Sequence, residues 1–346
     1  MTRFLHTSDL HLTRDDATRL NVLNWIIEKA NELDIDYLII AGDLFESDTD
    51  ATVLRPKVKN LLEKINAEVL IIPGNHDEKS YDLKYDYGKN VRQLIEKPYQ
   101  ILDIGPLKIC GIPYQNMKFT ECIKDLSGGL DLAIVHGTLL DDSFSQILTA
   151  ERIEYLPIYP SSLENLARYV AFGHFHTQYL EKNYARTKIV YPGSPIALST
   201  KCASQRVVVY IELDKDKIKV QPLEVEIAPY WQVMEYFVFP EIEASIFSTI
   251  EEDIQRLDKR VMPFIIVKGF ISTGEKEFLH RLLKIKDKFA GIFSDFNIVS
   301  DEITAWDKIL RHTLVKRFVE RTQGLPDELR MKIFEIALPV FNDLRE

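Results

Sequence analysis

The sequence predicts an α/β fold, an open sheet with helices on its faces. Three observations predict it. Short apolar, β-branched runs alternate with helix-period segments through the first half of the chain. Several of these runs stop at Gly or Pro, as Asp36–Ala41 does at Gly42 and Glu68–Pro73 does at Pro73-Gly74. Asp, His and Asn residues gather just after those stops, where the carboxyl ends of parallel strands line a crevice. The 346 residues suit two domains, and 46% hydrophobic with 28% charged residues is ordinary for a globular protein with a large core.

The elements follow in order. Arg3–Ser8 reads as a buried strand. Arg19–Leu33 places Leu20, Leu23, Ile27 and Ala30 on one helical face. Strands are expected at Asp36–Ala41, Glu68–Pro73, Leu130–His136 and Arg168–His174, with a helix at Ala51–Ile65. After Thr177 the pattern turns antiparallel, with strands at Lys188–Tyr191, Arg206–Leu213 and Lys217–Glu224 and a hairpin loop at Asp214-Lys215-Asp216. Glu226–Tyr230 reads as a linker. Beyond it, residues from about 231 to 300 read as a strand, a helix at Ala244–Leu257, a strand at Met262–Phe270 and a helix at Glu275–Phe289, a small α+β domain. The tail is helical: Ile309, Leu310, Leu314 and Phe318 form one stripe, Gly324 stops that helix, and Leu329, Ile333, Ile336 and Val340 form the next, which Pro339 should kink or end. The expected domains are 1–228, 229–300 and 301–346.

Composition removes several function classes. A net charge of −10 gives no bulk attraction for polyanions, so a nucleic-acid role needs a local basic strip, metal ions or a partner. Cys110, Cys122 and Cys202 are odd in number and widely spaced, which excludes a disulfide framework and a zinc–thiolate site. A reducing cytoplasm is the expected location. No apolar run approaches a membrane span, and residues 1–9 do not read as a secretory signal, so no membrane association is expected.

The chemistry lies in five short motifs: Asp9-Leu10-His11, Gly42-Asp43, Gly74-Asn75-His76-Asp77, His136-Gly137 and Gly173-His174-Phe175-His176. They hold five of the eight histidines, each at a strand end. Oxygen and imidazole donors without thiolate suit Mn²⁺, Fe²⁺, Co²⁺ or Zn²⁺. There are more donors than one ion needs, and Asp43, in its tight Gly-Asp turn, is the natural bridge between two. Two ions ~3.5–4 Å apart acidify water and clamp phosphate oxygens in an in-line displacement. His6 falls inside the first strand and reads as a core or supporting histidine; His280 and His312 read as surface residues.

The same motifs resemble, in order, the signature blocks of the calcineurin-like metallophosphoesterases, across roughly residues 3–200. The resemblance implies a four-layer sandwich binding two divalent ions, most simply Mn²⁺. One ion would take Asp9, His11, Asp43 and His176, the other Asp43, Asn75, His136 and His174. His76 would contact the scissile phosphate and protonate the leaving group, with Asp77 orienting its ring. Gly42-Asp43-Leu44-Phe45 and Tyr191-Pro192-Gly193-Ser194-Pro195 are further similar to the SbcD family, the nuclease partner of the SbcC ATPase in DNA-end processing. That likeness implies DNA as substrate, a capping role for the second domain, and docking of the C-terminal helices on an ATPase coiled coil; it leaves a homodimer open.

Two positions depart from the family pattern. Glu46 stands where these nucleases usually carry a His linked to exonuclease action, and Thr13 stands where the first block usually has Gly. Glu46 leaves endonuclease action or another phosphodiester open and would place an extra carboxylate near the metals. For the substrate backbone the candidates are Arg14, Arg55, Lys57 and Lys59, with Ser194 in a turn that either cradles phosphate or is only a turn. Between Lys308 and Lys332 seven Lys/Arg face three acids, which reads as a solvated face, a docking surface or a phosphate-tracking strip. The alternatives to a DNA nuclease are a small-molecule phosphodiesterase or phosphatase and a DNA-end tether with weak catalysis.

Overall fold

The structure is a computed structural model that describes residues 1–126, 128–144, 155–215 and 217–343. Asp216 of the expected hairpin loop and residues 344–346 of the tail lie outside the described residues. The chain divides into two compact units, Met1–Tyr230 and Trp231–Glu346.

The first unit begins with β1 (Thr2–Thr7), α1 (Ala17–Glu32), β2 (Tyr37–Ala41), α2 (Asp48–Leu62), β3 (Glu68–Ile72) and β4 (Val91–Gln93). Next come β5 (Gln100–Ile104), β6 (Leu107–Ile112), α3 (Phe119–Cys122), β7 (Leu130–His136), β8 (Thr138–Leu139) and β9 (Pro157–Ile158). It closes with β10 (Ala167–Gly173), β11 (Leu180–Tyr184), β12 (Thr187–Tyr191), β13 (Val207–Leu213) and β14 (Ile218–Glu224).

Two six-stranded sheets result, ordered β14-β13-β1-β2-β3-β4 and β11-β12-β10-β7-β6-β5. In the first, β1, β2, β3 and β4 run parallel, and β13 and β14 add antiparallel hairpin strands at one edge. In the second, β12, β10, β7 and β6 run parallel between antiparallel edges. Strand alternation makes the layers. Leu38 and Ile40 of β2 face α1 and α2, while Ile39 and Ala41 face the second sheet. Val170 and Phe172 of β10 face outward, while Tyr169 and Ala171 meet the first sheet. The result is the four-layer sandwich, with its central apolar layer closed between the two sheets.

Most differences from the sequence reading have local causes. Helix α2 starts three residues early because Ser47 accepts a hydrogen bond from Asp50 N (3.1 Å), a cap that serves a start at Asp48. In the two large sheets, strands β4, β5, β6 and β11 lie outside the expected set: β5 and β11 alternate exposed and half-buried residues, and Gly111 interrupts the apolar run of β6.

The second unit comprises β15 (Tyr230–Val238), α4 (Glu243–Gln255), β16 (Val261–Ile271), α5 (Glu275–Lys288), β17 (Asn297–Val299), β18 (Ile303–Ala305), α6 (Trp306–Ile309), α7 (Thr313–Thr322) and α8 (Asp327–Asp343). Strands β17 and β18 both pair parallel with β16. Helices α4 and α5 cover one face through Ile250, Phe278 and Leu282. The other face closes an aromatic cluster of Phe239, Phe270, Phe334 and Phe341. Residues from 301 onward therefore share this unit's sheet and core. The expected stripe of Ile309, Leu310, Leu314 and Phe318 is not one helix face: the chain turns between α6 and α7, Ile309 is buried, and Leu314 is 62% exposed. Gly324, at φ +87°, follows the end of α7. Helix α8 runs through Pro339 to Asp343 rather than ending there.

Candidate metal centre

The five motifs meet at the carboxyl ends of β1, β2, β3, β7 and β10. The loops after β1 and β2 run side by side, joined by Asp9 N to Gly42 O (3.1 Å), His11 N to Asp43 O (3.0 Å) and Leu12 N to Leu44 O (2.8 Å). Asp9, His11, Asp43 and His174 all take positive φ, a strained conformation that the surrounding hydrogen bonds must hold. His174 N donates to both Asp9 oxygens (3.1 and 2.9 Å), and His76 N donates to Asp43 Oδ1 (2.9 Å). Gly42, at φ +89°, leaves room for the His136 ring: a Cβ there would lie 2.2 Å from Nδ1.

Two groups form around one carboxylate. Asp9, His11, Asp43 and His176 bring ligand atoms within 4.8 Å of one another, as do Asp43, His136 and His174. Asn75 joins the second group, its Oδ1 lying 3.0 Å from His136 Nε2 and 3.2 Å from His174 Nδ1. His11 Nε2 and His176 Nε2 are 3.1 Å apart. Asp43 belongs to both groups. Its Oδ2 is buried without a hydrogen bond, 3.3 Å from His136 Nε2 and 3.7 Å from His11 Nε2.

The electrostatics ask for positive charge here. Burial would raise the Asp9 carboxyl, yet the hydrogen bond and charge of His176, then His136, hold it at about 2. Burial opposes ionisation of Asp43 too, but the His136 charge, then His11 and His76, keep it well below the usual carboxylate range. His136 shows the converse: burial lowers it, and Asp43, then Asp9, push it up to about 9. His174 falls to about 4 through burial and the His136 charge. Two buried carboxylates therefore stay ionised, and an all-oxygen-and-imidazole donor set surrounds them. The residues fit divalent cations.

The expected roles around this cluster are partly redistributed. Asp77 does not meet the His76 ring. Its carboxylate accepts from Phe45 N (3.1 Å), Gly74 N (3.0 Å) and Tyr81 OH (2.9 Å), tying the loop after β2 to the loop after β3. Burial, then the Asp43 charge, raises it to about 7. The ring partner of His76 is Glu46, whose carbonyl lies 3.1 Å from Nδ1. Glu46 is close to the cluster, but its carboxylate meets His11 Nδ1 at 3.2 Å and Arg19 at 3.3 Å. Thr13 donates its hydroxyl to Asp50 (3.2 Å), a bond that Gly could not make.

The substrate candidates also divide. Ser194 is buried: its hydroxyl accepts from Ile196 N (3.2 Å) and its N–H supports His176 O (3.2 Å), so its side chain does not face a substrate. Arg55 stacks on Tyr85 at 4.0 Å and donates to Ser80 O (3.3 Å). Lys59 pairs with Asp86. Arg14 is exposed and 3.9 Å from Asp15, and Lys57 is exposed. Arg19, in the first turn of α1, and the buried Arg206, which donates to Thr177 O (2.9 Å) beside His176, were not legible in the sequence, because nothing local marks a cation that acts on a distant carbonyl. The described part of the site also includes Tyr155, whose ring centre lies 5.5 Å from that of His174. His6 is buried, its ring between Tyr169 OH (3.2 Å) and Phe172 O (3.1 Å), and burial depresses it to about 3. His280 is exposed, whereas His312 is only half-exposed and its Nδ1 is buried without a partner. The three cysteines are unpaired and buried.

The family model for calcineurin-like phosphoesterases matches residues 2–178, the stretch that carries all seven clustered donors. The chain belongs to the calcineurin-like phosphoesterase family. Among curated relatives of this phosphoesterase, the SbcD component of nuclease SbcCD from Escherichia coli strain K12 is 24% identical over 268 residues, covering 63% of this chain and 66% of that protein. DNA double-strand break repair protein Mre11 of Methanopyrus kandleri is 25% identical over 235 residues, covering 57% and 49%. The phosphoesterase thus spans two thirds or less of the length of these relatives. A dimetal phosphatase from Danio rerio is a structural neighbour at 9% identity and TM-score 0.43, covering 65% of this chain and 96% of that one. Among the described residues, no helix is long and apolar enough to cross a membrane.

Proposed function

We propose that this phosphoesterase is a two-metal phosphodiesterase that cuts DNA and works with a coiled-coil ATPase. One observation carries the metal reading: Asp43 Oδ2 is buried without a hydrogen bond between two sets of imidazole and oxygen donors. Asp9, His11 and His176 would hold one ion, Asn75, His136 and His174 the other, with Asp43 shared; Mn²⁺ is the first choice. Bound there, two divalent ions supply charge neutralisation at the phosphate and acidify water.

The chain's own groups do the rest. With Nδ1 of His76 on the Glu46 carbonyl, Nε2 is the ring atom left for a phosphate oxygen. In hydrolysis the oxygen of water bonds to phosphorus and gives up a proton to the surrounding solvent, one P–O ester bond breaks, and His76 passes a proton from Nε2 to the departing oxygen. Asp77 and Tyr81 fix the loop that carries Asn75 and His76.

Support for DNA comes from the names of the relatives, a nuclease and a break-repair protein, and from the exposed cations Arg14 and Lys57 close in sequence to the cluster. Support for a helical partner comes from α7 and α8: Leu314, Leu329, Ile336 and Val340 are 47–79% exposed beside Lys316 and Arg317. The unpaired cysteines suit a reducing cytoplasm. A second reading, a small phosphodiester as substrate, is favoured by the Glu46 carboxylate beside the cluster, which would repel a polyanion.

The test is cleavage of end-labelled duplex and single-stranded DNA with MnCl₂ by wild type, His76→Ala and Asp43→Ala, with bound metal measured in each. Wild type should cut. His76→Ala should keep two ions and lose on the order of 10²–10⁴-fold in rate. Asp43→Ala should lose ions and activity together. Metal-loaded wild type that hydrolyses bis(p-nitrophenyl) phosphate but not DNA would favour the second reading.

A further inference from the structure

Glu46 has two oxygens and three neighbours. Oε2 lies 3.2 Å from His11 Nδ1 and 3.3 Å from Arg19 Nη1. Oε1 lies 3.6 Å from His76 Nδ1. Arg19 is itself held by Asp16 at 3.2 Å and by the carbonyl of His11. A line of contacts thus runs from the first turn of α1 through Glu46 to His11.

The other edge of the His11 ring faces the cluster. Nε2 is 3.1 Å from His176 Nε2 and 3.7 Å from Asp43 Oδ2. A neutral imidazole carries one proton, and a nitrogen that binds a cation must carry none. In isolation either nitrogen can be the bare one, and the choice is set by what the other nitrogen meets. A carboxylate at Nδ1 favours the proton there. The His11–Glu46 distance is that of a hydrogen bond although the present alignment is not.

We propose that Glu46 is a positioning residue: its carboxylate, held by Arg19, fixes His11 in the Nδ1–H tautomer and leaves Nε2 for a cation. This rests on the metal reading above. His11, Glu46 and His76 also bring ligand atoms within 4.8 Å of one another, so a third cation between them is the competing arrangement. Arg19 argues against it, because a guanidinium already occupies the vicinity of Oε2 and would repel an ion there. His76 is held differently, by the Glu46 main-chain carbonyl, so a substitution at 46 keeps that contact while removing the one to His11.

The experiment compares wild type, Glu46→Gln and Glu46→Ala by two measurements. Ring ¹⁵N shifts of His11 in metal-free protein report the tautomer, and calorimetric titration with MnCl₂ reports the ions and their affinities. Wild type should show Nδ1–H and two sites. Glu46→Ala should lose that preference, and one of its two sites should weaken by about 10-fold or more while the other stays near wild type. Glu46→Gln, whose side-chain oxygen still accepts from Nδ1–H, should fall between them. Melting in EDTA checks that both variants fold. Unchanged tautomer and affinities in folded Glu46→Ala would overturn the proposal. So would three ions in wild type with one lost in Glu46→Ala, which would make Glu46 a ligand. Wild type that binds no Mn²⁺ would remove the metal reading, and the tautomer comparison would still decide whether Glu46 holds His11.

Discussion

His6 illustrates how one buried side chain ties the site to the core. It sits on β1 and reaches the second sheet, with Tyr169 OH on one nitrogen and Phe172 O on the other, two residues before His174. Burial lowers its pKa from 6.5 to about 3. The sign of the pH effect follows. Between those values the unfolded chain takes up a proton that the folded chain refuses, so stability falls as pH drops through 6.5. In metal-free protein, wild type should lose about 2 kcal/mol more than His6→Gln between pH 7.5 and pH 5, measured by urea unfolding. His174, also depressed, is present in both proteins and cancels. Equal pH slopes would show that His6 is protonated in the fold.

At the scale of elements, the site depends on how closely two sheets approach at their carboxyl ends. Gly173 ends β10 opposite Ala41, which ends β2, and a Cβ at Gly173 would lie 1.9 Å from Ala41 O. Main chain cannot yield there as a flexible side chain could. Gly173→Ala should therefore destabilise the first unit by about 3 kcal/mol or push the sheets apart. Thermal melting and Mn²⁺ titration check it: a variant with wild-type melting and wild-type metal affinity would show that this approach is not what sets the cluster. Helix starts belong to the same scale. Ser47 and Asp16 cap α2 and α1 just after two of the motif loops, so the caps fix where each loop ends.

At the scale of the molecule, every clustered donor lies in Met1–Tyr230, and the exposed apolar residues of α7 and α8 lie in Trp231–Glu346. Under the proposed function, chemistry and partner recognition fall to different units. A chain of residues 1–229 should keep Mn²⁺-dependent hydrolysis of bis(p-nitrophenyl) phosphate within a few-fold of the full protein and should lose most DNA cleavage. Loss of both, in a truncated chain that still shows a cooperative melt, would mean that the second unit contributes to the metal centre itself.

What the sequence determined by itself was the strand ends and the residues they carry. Short apolar, β-branched runs and Gly or Pro stops are local, so β1, β2, β3, β7 and β10 were legible, and so were Asp9, His11, Asp43, Asn75, His76, His136, His174 and His176. The second sheet was only half legible, because β5 is polar on alternate positions and β6 carries Gly111. What tertiary structure alone decided was which partner each side chain meets. Asp77 follows His76 in sequence, yet its carboxylate turns to Phe45 N and Tyr81 OH, and Glu46, thirty positions away, takes the His76 ring. The Gly193-Ser194 turn reads either as a phosphate cradle or as a plain turn, and in the structure Ser194 is buried with its N–H on His176 O. The reason is physical: a backbone pattern repeats along the chain and can be read there, whereas a side-chain hydrogen bond is fixed by distance and direction in space, which only the packing of the two sheets supplies.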